Sequence, residues 1–502
     1  MRPPILALLA LACHPADPDG SRPTGPLPPD PPAPDAFEPP EGPGGPARTF
    51  ADDELLTPCG YILGGPGDAE HHNLSVVHDG YLVHPWAPED GGGGISFLRF
   101  DDPCAPEVVG QTWSDRMRET HTLAFGHANG REYLAVDALD PEDGAIGGVG
   151  IWDVTDRTAP AWVSEIDTPN FHYPDSYLRV TFSSFWQGPV LYIAAAFTGI
   201  HVVDVSDPLN PVLVKTVTFD FPHLVGAFHV IGNLGVAASA GTSHVELLDV
   251  SDPWDPRPIP GGSFEVHDGA GTVDNYYFSS VGGRYGLFAR KARGGGPIIY
   301  DLSDPSAPTY VGDGYTDDGD GGYVYRQSDR LFQGDSNFGL IYDISDPTAP
   351  QELARLFVQG DLDTMSPVGN VVIVSVDEKA TPGQASTVFP WQAAPDARPP
   401  ALELFDPPDG AENVPVTGRI GLAFDEWIES ASVFEGSFRV TDADGWPLAG
   451  TYDVQESLVN FTPDEPLPAG TAIRVVVPAG GITDVSGNPT AEEVRWQFTT
   501  AP

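Results

Sequence analysis

Basic residues are scarce in this chain: 24 Lys and Arg stand against 72 Asp and Glu in 502 residues, a formal balance of −48. Nucleic-acid binding relies on basic patches that neutralise phosphates, so a nucleic-acid partner is excluded. Cysteine is nearly absent, with Cys13, Cys59 and Cys104 alone, and no Cys-x-x-Cys pair exists for redox work. The apolar run that opens the chain falls far short of the ~20 residues that span a bilayer. No long amphipathic helical run is present. Missing as well are a His-Glu-x-x-His metalloprotease motif, a phosphate-cradling loop and a Gly-x-Ser-x-Gly nucleophile elbow. Ala237-Ala-Ser-Ala-Gly241 comes nearest to the last, and a serine among small residues reads as a packed strand position.

What is abundant is turn-forming residues, 57 Gly and 54 Pro, which point to a turn-dense all-β protein. One phrase recurs. It reads Gly199-Ile-His-Val-Val-Asp-Val-Ser-Asp-Pro-Leu-Asn-Pro211, with copies at Ile151-Trp-Asp-Val-Thr-Asp-Arg-Thr-Ala-Pro160, Val245 to Pro256, Ile298 to Pro308 and Leu340 to Pro350. A degenerate first copy is Phe97-Leu-Arg-Phe-Asp-Asp-Pro-Cys-Ala-Pro106, and the mean period is about 49 residues, the size of a propeller blade. Each copy opens with consecutive apolar residues, the mark of a strand covered on both faces. Ser-Asp-Pro then forces a turn, because Asp and Ser bond their own downstream backbone and Pro fixes φ. The second Pro leads into an outermost strand, where a missing N–H is tolerated.

Two further strand signals precede each phrase, for example Tyr177-Leu-Arg-Val-Thr-Phe and Val190-Leu-Tyr-Ile-Ala-Ala-Ala, giving four antiparallel strands per unit. These residues resemble the LVIVD repeat family of bacterial exported proteins, over about 58 to 395. The resemblance implies a β-propeller and carries over no catalytic residue. After the sixth phrase come an outer strand at Leu353 to Val358 and three strand signals, near Thr364, Val371 and Thr387. A seventh blade therefore lacks its outermost strand. Pro58-Cys-Gly-Tyr-Ile-Leu-Gly-Gly65 reads as an outer strand with no blade ahead of it, and is expected to complete blade seven and remove the open sheet edges.

Met1 to Cys13 reads as an export signal, with a basic residue, a short apolar stretch and small residues before Cys13. Its end resembles the lipobox of bacterial lipoproteins, with Ala10 and Leu11 where that family usually has Leu and Ala or Ser. The resemblance implies that Cys13 carries a lipid; the alternative is an ordinary secreted protein with a chance cysteine. Removing Cys13 leaves an even pair, so a Cys59–Cys104 disulfide is expected in an oxidising compartment. Residues 14–50 form a Pro-rich linker that should not fold and would reach up to roughly 100 Å.

Acidic and imidazole groups recur in the connections between an outer strand and the next inner strand, which fall on one face around the axis. These hold Glu70-His71-His72, Glu119-Thr-His121, Asp175-Ser-Tyr177, His223, His267-Asp268, Asp317-Asp-Gly-Asp320 and Asp361-Leu-Asp363. His72, His121, His267, Asp318 and Asp320 are the candidate ligands for Ca²⁺ or another divalent cation. The other reading is that these groups cap turns and solvate a channel. Asp317 to Gly322 is the most calcium-like stretch, though it lacks the spacing and closing Glu of an EF-hand loop.

The repeat occupies 51–395 and stops at a Pro-rich joint, Ala393 to Pro400. Residues 399–502 carry short alternating strands and turn phrases such as Pro408-Asp-Gly-Ala-Glu-Asn-Val-Pro415 and Asp484-Val-Ser-Gly-Asn488, which read as a β-sandwich. Their order resembles the bacterial Ig-like domain first associated with S-layer proteins, which implies a spacer or adhesion module. The fold expectation is all-β, a seven-bladed propeller followed by an Ig-like β-sandwich. The leading functional expectation is a lipid-anchored or extracellular protein of the bacterial cell envelope, monomeric, touching the membrane through its lipid alone and binding a surface protein or glycan. The competing expectation is a metal-dependent enzyme with His72, His121 and His267 as ligands and Glu119 or Asp268 as general base. A third is packing within an envelope layer.

Overall fold

The computed structural model describes residues 48–174 and 177–502. The export signal with Cys13, nearly all of the Pro-rich linker, and Asp175 lie outside the described residues. Seven four-stranded antiparallel sheets lie between Gly60 and Pro390. The first runs outward as Val76–His78, Tyr81–Trp86, Gly93–Arg99 and Glu107–Ser114. Five more follow in chain order, and the seventh takes Asp361–Val368, Val371–Glu378 and Ser386–Pro390. Its fourth strand is Gly60–Ile62, antiparallel to Ser386–Pro390 with Gly60 opposite Val388. The disulfide between Cys59 and Cys104 ties this strand to the turn of blade one.

Contacts between neighbouring blades run right round the ring. His78 of blade one stacks on Phe125 of blade two at 3.7 Å. Ser184 N–H donates to Thr122 Oγ1 at 2.8 Å, and Ala196 N–H to Val225 O at 3.0 Å. His229 pairs with Ser279 O, Ser280 with Val324 O, and Tyr323 N–H donates to Asp363 O. Ser75 N–H donates to Ser366 Oγ at 3.3 Å, which closes blade seven onto blade one.

The recurring phrase has a local cause. Its first Asp accepts the N–H two residues on, as in Asp204 to Ser206 at 2.9 Å and Asp249 to Ser251 at 2.8 Å, and its second Asp does the same. The apolar residue between them is buried and its N–H is spent on the hairpin of the same blade, Val205 donating to Pro189 O and Val250 to Asn233 O. One phrase therefore ends a strand, turns the chain and clamps two turns together. The strands that open the phrase, such as Pro297–Asp301 and Gly339–Asp343, are buried along nearly their whole length, each Ile or Leu contributing ~1.5–3 kcal/mol. The expected inner strand at Tyr177 to Phe182 is displaced: the strand is Ser183–Gln187. Tertiary bonds claim the earlier residues, since Thr181 accepts from Arg118 through its carbonyl and donates to Gly148 O through its hydroxyl.

Residues from Leu402 to Thr499 form a two-sheet sandwich. One sheet orders Leu402–Asp406, Ile420–Phe424, Leu458–Pro463 and Gly450–Gln455; the other Arg439–Thr441, Ala472–Val477 and Val494–Thr499. Phe424, Phe438, Phe461, Trp496 and Phe498 fill the space between them. Among the described residues no helix is long and apolar enough to cross a membrane.

In a four-stranded meander the first and third turns of every blade lie on one face of the ring and the second turn and the blade-to-blade connections on the other. The sandwich sits on the first-turn face. Gly80 N–H donates to Glu429 at 3.0 Å, Gly188 N–H to Asp453 at 2.6 Å, Gly232 N–H to Asn460 at 2.8 Å, Asn233 N–H to Asp406 at 2.6 Å and Ser328 N–H to Asp425 O at 3.0 Å. Arg326 forks onto Glu403 at 2.8 and 2.9 Å. Trp427 of the sandwich enters the ring and meets Tyr325, ring centroids 5.3 Å apart.

Gly130 is the second residue and Gly232 the first residue of the first turn in its blade, with φ of +72° and +59°, but a Cβ on Gly130 meets nothing within 4 Å whereas one on Gly232 meets Asp406 O at 2.5 Å. Gly130→Ala should cost roughly 1–2 kcal/mol through its backbone alone. Gly232→Ala should cost more and expose the 393–400 joint to protease; equal effects in urea unfolding and proteolysis would sink this account of docking. Replacing Cys59 and Cys104 by Ala should lower stability by about 4 kcal/mol for the 45-residue separation. Urea unfolding of oxidised and reduced protein checks it, and indistinguishable curves would overturn it.

Candidate functional site

Among the described residues nothing covers the face opposite the sandwich, and its axial mouth gathers a buried polar cluster. His71 and Asn73 come from the segment leading into blade one, Glu119 and His121 from the connection into blade two. Asp363 and Asp377 come from the first and second strands of blade seven, and Asp137 from the second strand of blade two, Arg131–Asp140. Glu119 is the hub. Its Oε1 accepts from Asn73 Nδ2 at 3.0 Å, lies 3.0 Å from His121 Nε2 and 3.8 Å from His71 Nε2; its Oε2 lies 3.9 Å from Arg118 Nη2. His71 also pairs with Asp377, and His121 Nδ1 lies 3.7 Å from Asp137.

The cluster is held from below by rings. His121 packs on Phe278 of blade five at 4.9 Å and on Tyr323 at 6.3 Å, and Phe278 stacks on Tyr323 at 4.2 Å. Blades two and five are not neighbours, so these side chains meet across the axis. Tyr323 continues to Tyr325 at 6.1 Å and thence to Trp427. An aromatic column therefore fills the axis from the covered mouth to the open one.

Burial and mutual charge set the protonation of the cluster. For His71 burial disfavours the cation, but Asp377 and Glu119 outweigh it and raise its pKa to about 11. His121 is raised to about 9 on the same balance, with Glu119 and Asp137 as its partners. Burial works against ionised Glu119, yet His121 and His71 hold it well below the usual carboxylate range. Asp377 is pushed up to about 6 by burial and the Glu119 charge, against the pull of His71. Asp363 is pushed well up by burial and by Asp377, Asp361 and Glu119.

The five candidate ligands do not converge. His121 belongs to this cluster. His72 spends one ring nitrogen on Asp68 Oδ2 at 2.8 Å and the other on Ser386 Oγ at 3.0 Å, between blades one and seven. His267 lies farther out, stacked on Tyr310 at 5.3 Å with Nδ1 2.9 Å from Asp268 O. Asp318 accepts the Thr316 hydroxyl through its backbone, and Asp320 pairs with Lys291 at 3.5 Å. Asp268 caps its own turn, accepting from Ala270 and Thr272 N–H at 2.9 and 2.7 Å. Among the described residues three groups bring a ligand atom from each of three side chains within 4.8 Å of one another. They are His71, Glu119 and Asp377; Asp68, Glu70 and His72; and Asp396, Glu426 and Asp484. Asp377 and Asp137 escape a reading confined to connections because they sit in strands. Asp137 was nonetheless visible as a lone carboxylate inside the apolar run Tyr133-Leu-Ala-Val-Asp-Ala-Leu139.

Residues 187–218 match the LVIVD repeat and residues 396–500 the bacterial Ig-like domain, so the chain combines the two. No curated protein matches the sequence. Among solved structures, a protein from Lactobacillus plantarum is similar with a TM-score of 0.47 at 13% identity, covering 63% of this chain and 97% of that one. A beta-propeller domain from Myceliophteria thermophila is similar with a TM-score of 0.43 at 12% identity, covering 66% and 96%.

Because the folded-state values of His71 and His121 lie above 6.5, their contribution is complete below pH 6.5 and is lost as pH rises through about 9 and then about 11. Glu119→Gln should lessen that alkaline loss, since Asp377 and Asp137 remain, and cost about 3–5 kcal/mol near pH 6, by leaving buried charges short of a partner. Urea unfolding at pH 6 and pH 9.5 with chelator present reads the difference; a wild-type to variant gap that is the same at both pH values contradicts it.

Proposed function

We propose that this chain is an exported, lipid-anchored protein of the bacterial cell envelope that binds a surface protein or glycan through the uncovered face of its propeller. A propeller joined to an Ig-like domain is consistent with binding and interaction, and Ig-like domains of this family are typical of bacterial surface proteins. The observation that carries the choice of face is the placement of exposed aromatic rings at loop ends. Trp113, Phe197, Tyr315 and Phe357 lie at the ends or connections of blades on the uncovered face, Trp113 50% and Phe357 69% exposed, whereas exposed aliphatic residues such as Val108, Leu209, Val212 and Leu353 lie on outer strands or at the other end of the blades. Water-exposed rings at loop tips cost hydration without contributing to the core, and several on one face favour that face as an interaction surface. Flat rings set among carboxylates suit sugar rings or the apolar and basic side chains of a protein.

The leader ending in Cys13 and the Pro-rich linker support export and anchoring, since the linker would hold the ring away from the membrane surface. The alternative of a metal-dependent enzyme keeps one observation in its favour, the group of His71, Glu119 and Asp377. Glu119 is poorly suited to act as its base, because its lone pairs are committed to Asn73 and His121 and its proton affinity is low.

Labelled protein should be retained by isolated cell envelopes. Trp113→Ser combined with Phe357→Ser should reduce retention at least tenfold, while Trp446→Ser, an exposed ring on the sandwich, leaves it unchanged. Equal retention of all three proteins argues against the uncovered face. In cells, Cys13→Ser should move the protein from the envelope to the medium, and an unaltered distribution removes the lipid anchor.

A further inference from the structure

We infer that a pocket between blades three and four on the uncovered face seats one uncharged sugar ring of a glycan. The inference rests on the reading that this face binds a surface partner, and it chooses the glycan over the protein. The pocket encloses about 280 Å³, just below the ~300–1,000 Å³ of sites that take a drug-sized molecule. It suits a single ring. Its walls come from the second turn of blade three, after Val190–Ala194, with Phe197, and from the connection between Val212–Val217 and Val225–Ile231, with Thr218, Phe219, Phe221, Pro222 and His223. Phe197 is 43% exposed and Phe219 and Phe221 are half-buried, so aromatic faces stand open to a ligand. In a protein with a formal balance of −48, no carboxylate lines this pocket.

His223 sets the polar requirement. It is 2% exposed, and neither of its ring nitrogens has a hydrogen-bond partner. Buried polar atoms nearly always have one, so an imidazole with both nitrogens unpaired in a pocket wall points to a ligand that pairs with it. Phe219 and Phe221 pack on this ring at centroid distances of 4.9 and 5.7 Å, and His244 meets it edge-on at 5.1 Å. His244 is itself tied to Glu246 at 3.3 Å and Ser263 at 3.2 Å, which holds the stack from behind. Burial and the neighbouring His244 push His223 down to about 3, so the imidazole is neutral and carries one N–H and one lone pair. A hydroxyl both accepts and donates and so answers either nitrogen, whereas a carboxylate only accepts and an ammonium only donates. A lone water is a poor occupant, because it needs two to four polar partners and the walls here are mostly rings. A tyrosine from a protein partner brings one hydroxyl at the tip of its ring. A sugar brings several round its rim, enough for His223 and the exposed Thr218 together, and an apolar face to lie against Phe197 or Phe219.

The test is affinity electrophoresis of the full-length protein through gels carrying a glucan, a galactan, a mannan or glycol chitin, with polygalacturonate as the charged control. At least one neutral polysaccharide should retard the protein, and polygalacturonate should not. Phe197→Ser and His223→Phe should each raise the polysaccharide concentration for half-retardation at least tenfold; the second keeps the ring stack and removes both nitrogens. Trp446→Ser, on the sandwich, should migrate like the wild type. If His223→Phe does not fold, the methyl glycoside of the retarding sugar should shift the imidazole NMR resonances of His223 in wild-type protein and leave those of His72 and His267 in place. Free migration in all four neutral gels overturns the assignment. So does equal retardation by polygalacturonate, or retardation that survives Phe197→Ser and His223→Phe. Binding of N-acetyltyrosinamide at His223 with no sugar bound gives the pocket to a protein side chain and overturns it as well. Free migration together with the loss of envelope retention in Trp113→Ser combined with Phe357→Ser removes only the glycan; equal envelope retention of all variants removes the binding face itself.

Discussion

The pairing of Gly60–Ile62 with Ser386–Pro390 is the interaction on which the rest of this structure depends. A seventh sheet of three strands would expose a row of unpaired N–H and C=O groups. Borrowing a strand from the far end of the chain satisfies them and brings the two ends of the ring together: Phe50 N–H donates to Ala393 O at 2.9 Å and Leu56 N–H to Pro390 O at 2.7 Å. The point where the chain leaves the propeller is thereby fixed on the ring, and the sandwich that follows starts from a defined place.

From that place the sandwich can reach one face alone, and the two faces have opposite chemistry as a result. On the covered face, hairpin turns present backbone N–H groups that every residue except proline carries. The sandwich supplies the acceptors: Asp453, Asn460, Asp406 and Glu429. Burying those acids is unfavourable unless they are hydrogen-bonded, and burial pushes Asp406 and Glu429 each up to about 7. On the open face the same ring geometry brings side chains from non-adjacent blades to one mouth. The aromatic column between the two faces makes the ring a solid support, with His121 at its upper end resting on Phe278.

Much of this architecture is legible in the sequence because it is local. Asp-Val-Ser-Asp-Pro works through bonds two residues long, such as Ser303 N–H to Asp301 and Ser306 N–H to Asp304, so each copy announces its own turn wherever it stands. The apolar run ahead of it is a strand buried on both faces for the same reason in every blade. Where the reading slipped, the cause was non-local: Tyr177 to Phe182 has strand composition, but Arg118 and Gly148 from another blade take the groups a ladder would have used. The sequence also directed attention to the right set of connections and to His121 and Glu119. It favoured His72 over its neighbour His71, since nothing in two adjacent histidines says which one faces the axis.

By itself, then, the sequence determined the repeat, the turn chemistry, the all-β class and the need for a strand to finish the seventh sheet, because each follows from periodicity and from bonds made within a few residues. Only the tertiary structure decided which imidazoles and carboxylates share a mouth, that Asp377 and Asp137 join them from within strands, and that the sandwich covers the opposite face. Those outcomes depend on distances between residues hundreds of positions apart, 306 for His71 and Asp377 and 349 for Gly80 and Glu429, and the curvature of a closed ring sets such distances while local patterning leaves them free.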